Sequence, residues 1–231
     1  MHIPDGYLSP STCAVMYAVA APFWYRATKK VKQVLTTRMV PLLSIFAAFS
    51  FVIMMFNIPV PDGTTAHAVG GTLMAIVLGP WAATLGVSIA LMVQAIFFGD
   101  GGILAFGANC FNMAIVLPLV GFAVYRAISV NAPSGSWRHW LGGAIGSYAG
   151  INAASLCAAI EFGIQPLLFH TSSGAPLYCP YDLTQAIPAM MLAHLTVAGI
   201  AEMVVTAGAI AFLQKTMPVI MALRVGKGVR S

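Results

Sequence analysis

The chain opens Met1-His2-Ile3-Pro4-Asp5-Gly6, and its first two residues can grip a metal ion through nitrogen alone. Histidine at position 2 is too large to allow removal of the initiator methionine, so a free α-amine is expected on Met1. That amine, the backbone nitrogen of His2 once it loses its proton, and His2 Nδ1 close a five-membered and a six-membered chelate ring around one ion. Square-planar nitrogen coordination suits Ni(II) and Cu(II), and only such metals displace an amide proton readily, which discriminates against Mg(II), Ca(II) and Zn(II). One equatorial position stays open and calls for another nitrogen.

His67, in the run Thr64-Thr65-Ala66-His67-Ala68-Val69-Gly70-Gly71, is the candidate for that position, with His170 and His194 as competitors. A ligating imidazole needs an acceptor that holds its ring. Asp5, Asp62, Thr65, Asn109, Asn112 and Glu161 all have a route to the same side of the molecule. Asn109 and Asn112 share a helical face, which a cap and an interhelical hydrogen bond would explain equally well. Gly99-Asp100-Gly101-Gly102 has turn chemistry without phosphate-loop spacing and reads as a loop. Cys13, Cys110, Cys157 and Cys179 form no C-x-x-C pair and read as small apolar residues.

The elements that must position these groups are apolar helices. Of 231 residues 59% are apolar and only 7% charged, against roughly 25% charged in a soluble domain. Lipid, as solvent for most of the surface, accounts for that balance. The expected fold is all-α and polytopic, a single integral membrane domain over residues 1–231 with a metal-binding segment at 1–9. Seven transmembrane helices are expected at about 10–25, 40–56, 66–79, 81–98, 108–125, 140–160 and 186–213. With the N-terminus outside and the C-terminus cytoplasmic, every basic residue falls inside: Arg26, Lys29, Lys30, Lys32, Arg38, Arg126, Arg138, Lys215, Arg224, Lys227 and Arg230. Asp5, Asp62, Asp100, Glu161 and Asp182 fall outside, as does His67; His139 is on the inner side. The net charge of +5 then anchors the chain to an anionic inner leaflet and needs no nucleic-acid partner.

Ser9 as N-cap and Pro10 at the first helical position start the first helix, which by hydropathy ends near Arg26 after ~16 residues, or ~24 Å. That falls short of a ~30 Å hydrocarbon core, so Met1 to Leu8 are expected to lie among the helices. Asp5 and the lack of a basic n-region argue against a cleaved signal peptide. Small residues recur every fourth position at Ala82, Gly86, Ala90 and at Gly142, Gly146, Gly150, faces that suit close packing within the bundle more than docking to a partner.

The amino-terminal run, the run from Gly63 to Gly71, Phe97-Phe98-Gly99-Asp100-Gly101-Gly102 and Gly107-Ala108-Asn109-Cys110-Phe111-Asn112-Met113 resemble the CbiM/NikM family, substrate-binding components of energy-coupling factor (ECF) transporters for nickel and cobalt. The resemblance covers most of the chain. It implies a seven-helix fold with the N-terminus threaded into the bundle, and Ni(II) or Co(II) held as transported substrate by the Met1 amine, His2 and His67, with no organic cofactor. It also implies a transmembrane coupling subunit, cytoplasmic ATP-binding subunits and, in some systems, a small accessory membrane subunit, all in a prokaryotic cell membrane.

The residues agree that a motor must come from elsewhere, because no G-x-x-x-x-G-K-[ST] loop is present. A stand-alone secondary divalent-metal or proton-coupled transporter is the alternative, with Glu202 and His194 as its translocation residues. An intramembrane hydrolase would need G-x-S-x-G, H-E-x-x-H or a facing nucleophile and base, none of which the sequence supplies, so no enzymatic activity is expected. Reference imidazole pKa values of ~6.5 set the further expectation that metal affinity falls below about pH 6 to 7.

Overall fold

In the computed structural model, which describes residues 1–34, 39–60 and 64–217, Ser9 caps the first helix as its type requires. Its Oγ accepts the Thr12 N–H at 3.1 Å, and Pro10 takes the position where a missing N–H costs nothing. This helix, α1 (Pro10–Val34), ends well beyond the expected residue 25. Hydropathy marks where apolar residues stop, but Arg26, Lys29, Lys30 and Lys32 are good helix formers and carry the helix onward. The Arg26 guanidinium lies 5.1 Å over the Trp81 ring, a favourable cation–π placement. At 25 residues, or ~37 Å at ~1.5 Å per residue, α1 is not short, so helix length does not explain the burial of the N-terminal segment.

Hydrogen bonds do. Ile3 is held from both sides of its peptide: Asn109 Oδ1 accepts Ile3 N–H at 2.8 Å, and Asn109 Nδ2 donates to Ile3 O at 3.0 Å. Ile3 O also accepts Gly102 N–H at 2.9 Å. Asp5 accepts the N–H groups of Ile103 and Ala105, both at 3.1 Å, and Ser9 N–H donates to Gln165 Oε1 at 2.9 Å. A segment that satisfies its backbone this way can lie buried without penalty.

The helices that follow are α2 (Met39–Met54), α3 (Gly71–Leu78), α4 (Pro80–Phe98), α5 (Phe106–Ser129), α6 (Trp137–Leu168) and α7 (Leu183–Thr216). Between α2 and α3 the chain forms a short antiparallel hairpin, β1 (Ile58–Val60) and β2 (Thr64–Ala66), pairing Ile58 with Ala66 and Val60 with Thr64. The expected helix from 66 therefore begins only at Gly71. β-Branched Thr64 and Thr65 favour the strand, and Gly70, at φ 73°, breaks the run with a conformation that glycine adopts freely. Among the described residues four helices, α4 to α7, are long and apolar enough to cross a membrane. Every residue of α3 is buried, enclosed by α4, α5 and α6.

The small-residue faces are used inside the bundle. A Cβ on Gly146 would stand 2.5 Å from Gly121 O, and one on Gly150 2.5 Å from Leu117 O, so α6 presses directly on the α5 backbone. Gly86 meets Met74 of α3. Gly146→Val should cost roughly 1–3 kcal/mol through overpacking, read as a lower unfolding temperature in detergent; an unchanged midpoint would show that this contact can relax.

Candidate metal site

Among the described residues three helices carry a π-helical turn, at Gln94–Phe98, Cys110–Val116 and His194–Ala198. Such turns are frequent at functional sites, and here two of them begin at a buried polar residue, Gln94 and His194. The N-terminal segment lies among these elements. Met1 is wholly buried, His2 and His67 nearly so, and the His2 and His67 rings stack with centroids 4.6 Å apart and planes inclined by 28°. The Met1 nitrogen donates to Thr65 Oγ1 at 3.4 Å. The structure thus brings together Met1, His2 and His67, which are distant in sequence, with Thr65 beside them.

The ring orientations favour ligation. His2 Nε2 faces Gln94 Oε1 at 3.1 Å. The Gln94 amide nitrogen is engaged with Phe51 O at 3.4 Å and Met55 Sδ at 3.8 Å, so its oxygen is turned to His2 and pairs with a protonated Nε2. That tautomer leaves Nδ1, the atom a six-membered chelate ring requires, with its lone pair. Nδ1 lies 3.5 Å from Asp100 Oδ1, and Asn57 Nδ2 reaches the other Asp100 oxygen at 3.5 Å. His67 Nδ1 donates to Ala68 O at 3.1 Å, and its buried Nε2 has no hydrogen-bond partner among the described residues.

Burial sets the charge state. Desolvation pulls the Met1 amine down to about 4, against a weaker upward pull from Asp100. It pulls His2 down to about 4 as well, helped by the neighbouring amine. His67 falls well below the ordinary imidazole range, first by desolvation, then by repulsion from the amine and His2. At neutral pH all three present uncharged nitrogen lone pairs, the form a metal needs. Among the described residues no group of three or more His, Cys, Asp or Glu side chains is arranged to hold a metal.

The expected supporting residues divide. Asn109 and Asp5 hold the N-terminal segment in place, and Thr65 faces the amine. Asn112 Nδ2 donates to Glu161 Oε2 at 2.8 Å, and both residues are buried. Asp62 lies outside the described residues. Of the competing histidines, His170 is exposed and bonded to Thr171 O; His139, expected on the inner side and not a competitor, is fixed between Tyr125 and Pro133. His194 is buried close to the site, where β2 packs on its turn.

Sequence reasoning missed three residues. Gln94 orients His2, and its signal was a lone amide in an apolar helix. Asp100, read as part of a loop, supplies a carboxylate beside His2. Glu202, considered only for proton coupling, accepts the N–H of Val69 at 2.7 Å and of Gly70 at 3.0 Å, and so holds the loop that carries His67. Gly101 and Gly102 form the floor under the N-terminus: a Cβ on Gly101 would sit 3.3 Å from His2 Cδ2, and one on Gly102 would collide with the Asp5 carboxylate.

The model of the CbiM family, described as "Cobalt uptake substrate-specific transmembrane region", matches residues 2–220. The chain is 58% identical to the fused nickel transport protein NikMN of Rhodobacter capsulatus, over 97% of this chain and 65% of that protein. It is 54% identical to the probable fused nickel transport protein LarMN of Lactiplantibacillus plantarum, over 94% of this chain and 66% of that protein. The chain thus spans slightly less than two thirds of either fused relative. A crystal structure of a transition metal transporter superposes with a TM-score of 0.90 at 53% identity, covering 99% of this chain and all of that one.

Proposed function

Because the chain belongs to the CbiM family, we propose that it is the substrate-binding subunit of an ATP-driven ECF importer, and that it captures Ni(II) or Co(II) at the outer face of the cell membrane. The ligands are the free Met1 amine, the deprotonated His2 amide nitrogen, His2 Nδ1 and His67 Nε2. The observation that carries this reading is the convergence of these residues in one buried place with both rings oriented for ligation. Charge supports it too. A divalent ion beside one deprotonated amide and the Asp100 carboxylate is neutral overall, which lowers the cost of burying it.

In this reading the described helices α1 to α7 form one membrane unit. The described basic residues lie where α1, α5 and α7 end and α6 begins, and helix packing sets that end opposite Met1: Gln214, near the end of α7, donates to Ser136 O at 3.2 Å. This segregation supports an outside N-terminus. A coupling subunit and cytoplasmic ATP-binding subunits supply the energy, with a small accessory membrane subunit where one is required.

Titration of the purified protein with Ni(II) and Co(II) tests the proposal, and its pH dependence is specific. Loss of affinity below pH 6 to 7 was the expectation from free imidazole. Burial changes it: the amine and His2, with pKa values of about 4, are already neutral at pH 7 and release no proton on binding. Only the amide proton leaves, so calorimetry in buffers of different ionisation enthalpy should show about one proton released per ion near neutrality. Release should rise as pH falls toward 4, where amine and imidazole begin to charge. Release of two or three protons at pH 7 would mean that these groups are not buried as described.

Gln94→Leu should weaken Ni(II) binding by about 10–100-fold, the usual cost of losing a partner that orients a metal ligand, while the protein still folds. Unchanged affinity would remove Gln94 from the site.

A further inference from the structure

We infer that His194 provides an inner metal-binding position shared with His67, which takes the ion as it leaves the amino-terminal chelate. The inference rests on the proposed function. His194 is wholly buried at the start of the π-helical turn of α7. Its Nδ1 donates to Met190 O at 2.8 Å, which fixes the tautomer and leaves a lone pair on Nε2. That atom is buried with no hydrogen-bond partner among the described residues. A buried acceptor left in this state is costly and calls for an explanation.

His67 is its counterpart. Its Nδ1 is also committed to a backbone carbonyl and its Nε2 is also without a partner. The two imidazoles lie within electrostatic range of each other and of the Met1 nitrogen, and β2, which leads into His67, packs on the His194 turn. Neither Nε2 carries a proton, so the two rings cannot satisfy each other by a hydrogen bond. A Lewis acid between them can satisfy both, and imidazole suits Ni(II) and Co(II). Glu202, on the same helix as His194, grips the amides of Val69 and Gly70, so the spacing of the two histidines is set by one hydrogen-bonded unit.

The chemistry of release gives His194 a task. Square-planar Ni(II) exchanges ligands by accepting an entering ligand from above its plane before an old one departs. His194 Nε2 is an entering ligand built into the protein. As the Ni–N(His194) bond forms, the bond to the His2 amide nitrogen breaks and that nitrogen regains a proton from water, the hydroxide left behind being neutralised by the buffer; no electron is transferred.

The test is the rate at which Ni(II)-loaded purified protein gives up its metal to excess EDTA, measured beside equilibrium affinity. His194→Gln keeps a donor that can reach Met190 O but lacks the imidazole lone pair, while His194→Cys restores a ligand. The Gln variant should release Ni(II) about tenfold more slowly or more, with affinity within about threefold of the parent, and the Cys variant should recover the faster rate. His194→Asn serves the same purpose should the Gln variant not fold. Release at the parental rate from the Gln or Asn variant would overturn the inference and leave His194 a structural or water-bridged histidine. A loss of affinity as large as that of His67→Ala would also overturn it, by placing His194 in the resting site. If the parent itself binds no Ni(II), or binds it equally well without the Met1 amine and His67, it is the proposed function that fails.

Discussion

Extending the chain by several residues ahead of Met1 is expected to abolish tight Ni(II) and Co(II) binding while the protein remains folded. The extension converts the α-amine into an amide, removing one ligand and opening the five-membered ring through which the His2 amide nitrogen is recruited. Loss of that chelate should cost on the order of 10³-fold in affinity, or about 4 kcal/mol. Met1 is wholly buried and its nitrogen is turned to Thr65, so added residues must also displace the segment from the bundle. The length of the extension matters. A single added residue would place histidine third, and that arrangement chelates Ni(II) through four nitrogens of its own, masking the loss. His67→Ala supplies the companion measurement, since it vacates the fourth position without touching the N-terminus. Retention of parental affinity by both variants would place the ligands elsewhere and sink the amino-terminal site.

What was legible in the sequence was the chemistry that is local in the chain. Met1 and His2 are adjacent, so their chelate can be drawn before any fold is known, and the distribution of lysine and arginine suffices to put His67 on the same side. Features that depend on packing were not legible. Gln94 is 92 residues from His2, and nothing in its own helix says which histidine it will meet. The start of α3 was misjudged because Ala66 to Gly70 are as buried as the helix that follows. Hydropathy registers burial, whereas strand pairing and a left-handed Gly70 decide conformation. The end of α1 was misjudged for the opposite reason, since exposed lysines continue a helix whose hydropathy has ended. The glycine pattern in α6 announced a close contact, but only the structure identifies α5 as what it touches.

Glu202→Leu is expected to be the most damaging single substitution far from the N-terminus, and Glu202→Gln clearly milder. The Glu202 carboxyl is wholly buried and accepts both Val69 N–H and Gly70 N–H. Leucine fills similar space but strands two buried donors, at ~1–3 kcal/mol each, so roughly 2–6 kcal/mol should be lost, and the loop bearing His67 is freed to move. Ni(II) affinity should fall with stability, because a ligand that must be ordered on binding binds more weakly. Glutamine keeps one oxygen where Glu202 Oε2 now sits, and that oxygen reaches both amides, at 2.7 and 3.0 Å. Its NH2 takes the place of Oε1, which accepts Gly70 N–H at 3.0 Å, so one of the three contacts is lost and stability falls between that of the parent and that of the leucine variant. The pair of variants therefore separates two roles for one residue. A carboxyl that carries protons across the membrane cannot be replaced by an amide, so a proton-coupled carrier would lose uptake with Glu202→Gln. A carboxyl that holds the His67 loop is weakened by the amide and fails only with leucine. Thermal unfolding in detergent and Ni(II) titration of both variants, beside uptake by cells producing the complete transporter, decide between these roles. Uptake abolished in a Glu202→Gln protein that is stable and binds Ni(II) as the parent does would establish proton coupling and displace the latch.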